Sequence, residues 1–220
     1  MTIEDWQIQA DHFDNSEPFV PAEWKIRQYG FKYHYILKDY AIAEAIQGLK
    51  LAPGSMVLDA GCGTGVILDR LQSSYGTKSF GIDVSAKSLT RHRNSGQGGN
   101  RNSMADARQI PLADNVFDLA ISLDVLEHMQ SPEDAVREMM RVTRPGGWVV
   151  LYAVSRENRF TWIWMLTSFY EFLGINHWSW SRHSPDLLVD PNRLLSTLAG
   201  VSCEVRTAER FHSFFSLILV

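Results

Sequence analysis

Asp59 is followed by glycines at three alternate positions, Gly61, Gly63 and Gly65, and preceded by the β-prone pair Val57-Leu58. With the apolar run Val66-Ile67-Leu68 behind it, this order spells a buried strand, a tight turn and a helix start. Glycine suits such a turn because it takes positive φ freely and lets the backbone touch a ligand. The helix expected from about Thr64 to Ser74 would point N–H groups at whatever occupies the turn. A phosphate-binding P-loop needs Gly-Lys-Ser/Thr where this chain has Gly65-Val66-Ile67, so that chemistry fails. A dinucleotide fingerprint needs glycine at position 66, which is Val, and this departure argues against NAD or FAD.

Further polar groups follow at telling intervals. Asp83, with Val84 beside it, lies about 20 residues beyond the turn, where an acid can accept hydrogen bonds from both hydroxyls of a ribose. Taken alone, that spacing also suits NAD. Ala105-Asp106-Ala107 sets a carboxylate where an adenine amino group can donate to it. Asp124, Glu127 and His128 are ligand types that a divalent cation accepts, but both acids serve equally well as helix caps, and no resident metal is expected. His128, His177 and His183 are candidate general bases, and each reads equally as a structural or surface histidine.

Strands over 56–60, 79–83, 102–105, 117–123 and 148–154 would carry these residues at or just beyond their carboxyl ends. Helices are expected over 64–74, from the N-cap Ser85 to Arg93, and from Ser131-Pro132-Glu133-Asp134 to Arg141. Arg144-Pro145-Gly146-Gly147 reads as a turn into the fifth strand. This alternation predicts an α/β, doubly wound, largely parallel sheet, with ligands at the carboxyl ends of its strands. An apolar, aromatic helix over 160–173, a loop with His177, Trp178, Trp180 and His183, a helix near 192–198 and two strands that can pair antiparallel complete the chain. We expect one domain, with an N-terminal cap (1–34) whose Tyr33 or Tyr35 can reach a ligand, and a core (35–155). A substrate cap (156–184) and a C-terminal helix with strands (185–220) follow.

Across residues 55–154 the set resembles the class I S-adenosylmethionine (SAM) dependent methyltransferases. Asp59 with Gly61, Gly63 and Gly65 is similar to their motif I, and Gly81-Ile82-Asp83 to their ribose-binding strand end. Met104-Ala105-Asp106-Ala107 with Ile110-Pro111-Leu112 resembles the adenine loop. Phe117-Asp118, Glu127-His128-Met129 and Pro145-Gly146-Gly147 resemble later motifs of the small-molecule branch, which includes ubiquinone-biosynthesis methyltransferases. The resemblance implies a Rossmann-like seven-stranded sheet of order 3-2-1-4-5-7-6 with the last strand antiparallel. It implies SAM as cofactor, ribose on Asp83, adenine N6 on Asp106, and the methionine part along Ala60, Gly61, Cys62 and Gly63. Val84, Ala107 and Asp124 would line the same cofactor site, and Asp59 would orient the turn and the cofactor's amino group.

Composition narrows the acceptor. Against 25 Asp+Glu stand 21 Lys+Arg, so the chain lacks the positive footprint that a nucleic-acid backbone asks for. The fourth strand leads into Ser122-Leu123-Asp124-Val125, unlike the Asn/Asp-Pro-Pro-Tyr/Phe of exocyclic-amine nucleic-acid methyltransferases. Cys62 and Cys203 make no disulfide framework. Expected, then, is transfer of a methyl group to an O, N or C atom of a small apolar or aromatic acceptor. The rivals are a SAM-binding regulator without catalysis and an NAD-dependent oxidoreductase. The 160–173 helix is a candidate for peripheral membrane contact or for a homodimer interface. A polar opening without a signal-peptide pattern and no apolar run of spanning length make a cytoplasmic location the expectation.

Overall fold

The computed structural model describes residues 42–94, 101–155, 189–198, 203–211 and 214–219. The expected caps at 1–34 and 156–184 lie outside the described residues, and with them Tyr33, Tyr35, the 160–173 helix, His177 and His183.

Five parallel strands form the described core: β1 (Met56–Ala60), β2 (Lys78–Asp83), β3 (Arg101–Met104), β4 (Phe117–Leu123) and β5 (Thr143–Val154). β1 is central, with Leu58 opposite Phe80 of β2 on one side and Ala120 of β4 on the other. β3 extends the sheet beyond β2, and β5 extends it beyond β4. The chain winds outward from β1 in one direction and then reverses, so a crevice opens at the carboxyl ends between β1 and β4. Past β5, the backbone of β7 (Phe214–Leu219) pairs antiparallel with Val149–Val154, and β6 (Val205–Phe211) pairs antiparallel with β7.

Between the strands run α1 (Val66–Tyr75), α2 (Ala86–Asn94), a 3-10 turn (Leu126–His128), α3 (Pro132–Val142) and α4 (Pro191–Thr197). A helical segment at 42–48 precedes β1. Parallel strands buried on both faces must be apolar throughout, and the period of two sends neighbours to opposite sides. Val57, Leu119, Ile121 and Tyr152 therefore pack with Ile42, Ile46 and Leu71 on one face. Leu58, Ala60, Ala120, Leu151 and Ala153 pack with Leu126, Val136, Met139 and Leu194 on the other.

Several boundaries differ from expectation. α1 starts at Val66 rather than Thr64, because Gly63 (φ 50°) and Gly65 (φ 72°) are left-handed and outside any right-handed helix. α2 has the expected cap, Ser85 Oγ accepting from Ser88 N at 3.0 Å, but α3 does not. Ser131 precedes α3 without a capping side-chain bond, leaving Pro132 and the acids Glu133 and Asp134 to mark the start. β5 begins at Thr143, opposite Phe117, instead of at Trp148. Arg144–Gly147, expected as a turn before the strand, is an irregularity within it, since Asp118 alone separates the paired Phe117 and Leu119 on β4. Asp118 holds this bulge through an ion pair with Arg144. α4 starts at Pro191, capped by Asp190, whose carboxylate accepts from Asn192 N at 2.9 Å and Arg193 N at 3.2 Å.

Candidate functional site

The glycine turn is built from the end of β1 outward. Gly61 N and Cys62 N both donate to Ile82 O, at 2.8 and 2.9 Å, which folds the turn over the end of β2. Gly63 N donates to Asp83 Oδ2 at 2.8 Å, and Gly65 N to Cys62 O at 2.8 Å. Gly61 has φ 96°, and a Cβ there would stand 2.3 Å from Val125 Cγ2, so both backbone angle and space demand glycine. The N–H groups of residues 61–63 are thus committed inside the protein. What this stretch offers a ligand is carbonyl oxygen and bare Cα surface. Ser122 Oγ donates to Ala60 O at 3.0 Å and ties β4 beneath the turn.

Cys62 turns its side chain away, into a small cluster with Leu68 and Leu89. Gly81 makes room for it, since a Cβ at 81 would lie 2.6 Å from the sulfur. Burial, reinforced by the charges of Asp59 and Asp83, pushes the Cys62 thiol up. Its place in the expected cofactor set therefore belongs to its backbone and not to its sulfur.

Asp59 is buried at the end of β1, and no hydrogen bond reaches its carboxyl among the described residues. Burial first, and the nearby Asp83 second, push its pKa up to about 8. Asp83 ends β2 with one backbone donor on each oxygen: Gly63 N on Oδ2 and Ser85 N on Oδ1, both at 2.8 Å. It therefore joins the glycine turn to the start of α2. Val84 beside it is half-buried.

After β3, Ala105 N donates to Asp83 O at 3.1 Å, and this bond brings the Asp106 loop against the end of β2. Asp106 is engaged by a residue the sequence reading did not single out. Arg108 donates to it from its backbone N and, side-on, from Nε and Nη2. The only sequence signal was the Asp-x-Arg spacing in a short loop. Ala107 is buried against the core. The far end of the loop is clamped from α3: Arg141 donates to Ile110 O at 2.8 Å and Leu112 O at 2.9 Å, and Glu138 Oε2 accepts from Ile110 N at 2.8 Å. The Arg141 hydrogen bond, above all, lowers the Glu138 pKa, and the two acids Glu138 and Asp114 raise that of Arg141.

Beyond β4, Asp124 sits at φ 57°, a left-handed conformation strained for a side-chain-bearing residue. Its N–H donates to Tyr152 O at 2.9 Å, locking the end of β4 to β5. Glu127 is buried and His128 half-buried in the 3-10 turn that follows. Among the described residues no three His, Cys, Asp or Glu side chains are grouped to hold a metal ion, and Asp124, Glu127 and His128 form no such group.

The arrangement fits a cationic adenosyl ligand. Asp59 is a buried carboxyl beside the turn, and a cation bound next to it would favour its charged form. Asp83 lies beside the glycine turn, where a carboxylate can accept from the hydroxyls of a ribose.

The comparisons with known proteins agree. The "Methyltransferase domain" family matches residues 58–151. A ubiquinone biosynthesis O-methyltransferase from Paracidovorax citrulli is 31% identical over 122 residues, covering 52% of this chain and 50% of that protein. A probable tRNA methyltransferase 9B from Mus musculus is 33% identical over 144 residues, covering 60% of this chain and 30% of that protein. The chain thus spans half or less of the length of these curated relatives. A geranyl diphosphate methyltransferase solved in complex with GPP and sinefungin superposes with TM-score 0.68 at 14% identity, covering 100% of this chain and 98% of that one. Residues 58–151, with the glycine turn and the acidic strand ends they carry, match the methyltransferase domain family, and the cofactor that goes with this match is SAM.

Proposed function

We propose that the chain moves the methyl group of SAM to an O, N or C atom of a small, apolar or aromatic acceptor by in-line displacement. The observation that carries this is the placement of Asp59, Asp83 and the Asp106 loop at the carboxyl ends of β1, β2 and β3 around one glycine turn. In this reading Asp83 accepts from the ribose hydroxyls, Asp106 from the adenine amino group, and Asp59 faces the cationic methionyl end. Ala60–Gly65, Val84, Ala107 and Asp124 line the rest. Bound SAM supplies a sulfonium-activated methyl group, which leaves the protein chiefly to align the acceptor and exclude water. A base is needed only where the acceptor loses a proton, and His128 in the 3-10 turn after β4, with His177 and His183, are the candidates.

A small acceptor is supported by the acidic balance and by the aromatic content of residues 156–184. The relatives' names point both ways, to ubiquinone biosynthesis and to tRNA. With this reading goes a single domain, with 1–34 and 156–184 as caps and the 160–173 helix as the contact for a membrane surface or a second copy. The complete order 3-2-1-4-5-7-6 belongs to it too, and the backbone pairing of β7 with β5 supports that order.

The test is transfer of labelled methyl from SAM to a panel of phenols, prenylated phenols, amines and tRNA. Label in the small-molecule fraction is the expected outcome. Label in tRNA would overturn the acceptor class. Intact SAM binding with no transfer to any of them would favour a non-catalytic regulator.

A further inference from the structure

Arg108 has no part in the roles above, yet its side chain is 2% exposed, and Asp106 is its one partner among the described residues. Burying a guanidinium is costly unless its charge is met in good geometry. Here the fit is close. Asp106 Oδ1 accepts the Arg108 backbone N–H at 2.8 Å and Nε at 3.0 Å. Oδ2 accepts Nη2 at 2.8 Å and the longer branch of Nε at 3.1 Å. A carboxylate has about four lone-pair sites. With Nε shared between the two oxygens, three N–H groups meet four sites, which leaves room for one further donor.

The loop does not depend on Arg108 for its path. Its far end is held by Arg141 and Glu138, and its near end by Ala105 N on Asp83 O. The Arg108 side chain therefore fixes how the carboxylate is turned, more than where the loop runs.

We infer that Arg108 is a positioning residue that sets the base specificity of the cofactor site. By holding Asp106 in one orientation, it presents a single acceptor site to an exocyclic amine and turns away a base with a carbonyl in that place. A carbonyl there would set two acceptors against each other, and site-built repulsion of this kind discriminates strongly. The inference rests on the reading that Asp106 meets the adenine amino group, and the experiment separates the two.

Affinities for S-adenosylhomocysteine and its hypoxanthine analogue, S-inosylhomocysteine, are measured by titration calorimetry on wild type, Arg108→Lys, Arg108→Met and Asp106→Ala. Global destabilisation weakens both ligands alike, so the ratio of affinities is the readout. Wild type should prefer the adenine ligand by about a hundredfold or more. Both Arg108 variants should lower that ratio by about tenfold, because lysine keeps the charge but not the fork. Asp106→Ala should bring the ratio near one. If Arg108→Met does not fold, Arg108→Lys alone decides. A wild-type ratio in the folded Arg108 variants, together with a lost ratio in Asp106→Ala, overturns the role of Arg108 and spares that of Asp106. A wild-type ratio in Asp106→Ala, or no preference in wild type, overturns the reading of Asp106 itself.

Discussion

Asp59 holds a proton that the unfolded chain would surrender. Its ordinary pKa is 3.8, and burial with the charge of Asp83 lifts it to about 8. Between those values the folded protein binds more protons than the unfolded one, so stability falls as pH rises. The contribution is whole below the unfolded value and lost as pH passes through the folded one. The groups facing this carboxyl are Asp83 at the end of β2 and the Cys62 thiol of the turn, itself pushed up by burial. Asp59→Asn keeps the neutral shape and removes the titration. Thermal or urea unfolding should show wild type losing up to about 1.4 kcal/mol per pH unit between about pH 5 and 7, and the variant nearly flat. A fall of equal slope in the variant would assign the pH dependence elsewhere. The acids of the site were legible in the sequence because their spacing follows the strand ends. Their partners were not. The Asp-x-Arg spacing was the one hint that Arg108 would fold back on Asp106, and nothing told that Asp83 would accept from Gly63 N and from Ser85 N.

At the scale of elements, the turn after β1 places the site. Gly61→Ala would put a Cβ 2.3 Å from Val125 Cγ2 on a backbone at φ 96°. Calorimetric affinity for SAM should drop by about tenfold or more as the turn shifts. Adding Val125→Ala should restore only part of it, because the clash is relieved and the backbone angle is not. Full restoration would mean that the clash was everything. The strands and helices were readable because period, caps and breakers are local. Elements went astray where distant residues decide. The bulge in β5 exists because Arg144 meets Asp118, 26 positions earlier in the chain. The clamp on the Asp106 loop joins Arg141 to Ile110 and Leu112, 31 and 29 positions apart. No window on the sequence contains either.

At the scale of the whole sheet, one fastening among the described residues lies at the end opposite the glycine turn. Asp118, near the start of β4, accepts from Met56 N of β1 at 2.7 Å and pairs with Arg144 of β5, joining three strands far from the glycine turn. Asp118→Ala should therefore cost about 1–3 kcal/mol in urea unfolding and leave the dissociation constant for SAM unchanged in the folded protein. Weakened binding at full foldedness would show the two ends coupled. No helix among the described residues is long and apolar enough to cross a membrane. One consequence of the central place of β1 concerns time. Its partner on one side, β2, follows at once, but the bond from Ser122 of β4 to Ala60 spans 62 positions. At ribosomal speeds of about 5–20 residues per second, the central strand waits roughly 3–12 seconds with an open, apolar edge. During synthesis a strand that is buried in the finished protein thus stands open, and slow elongation between β2 and β4 would lengthen that risk without changing one contact of the native state.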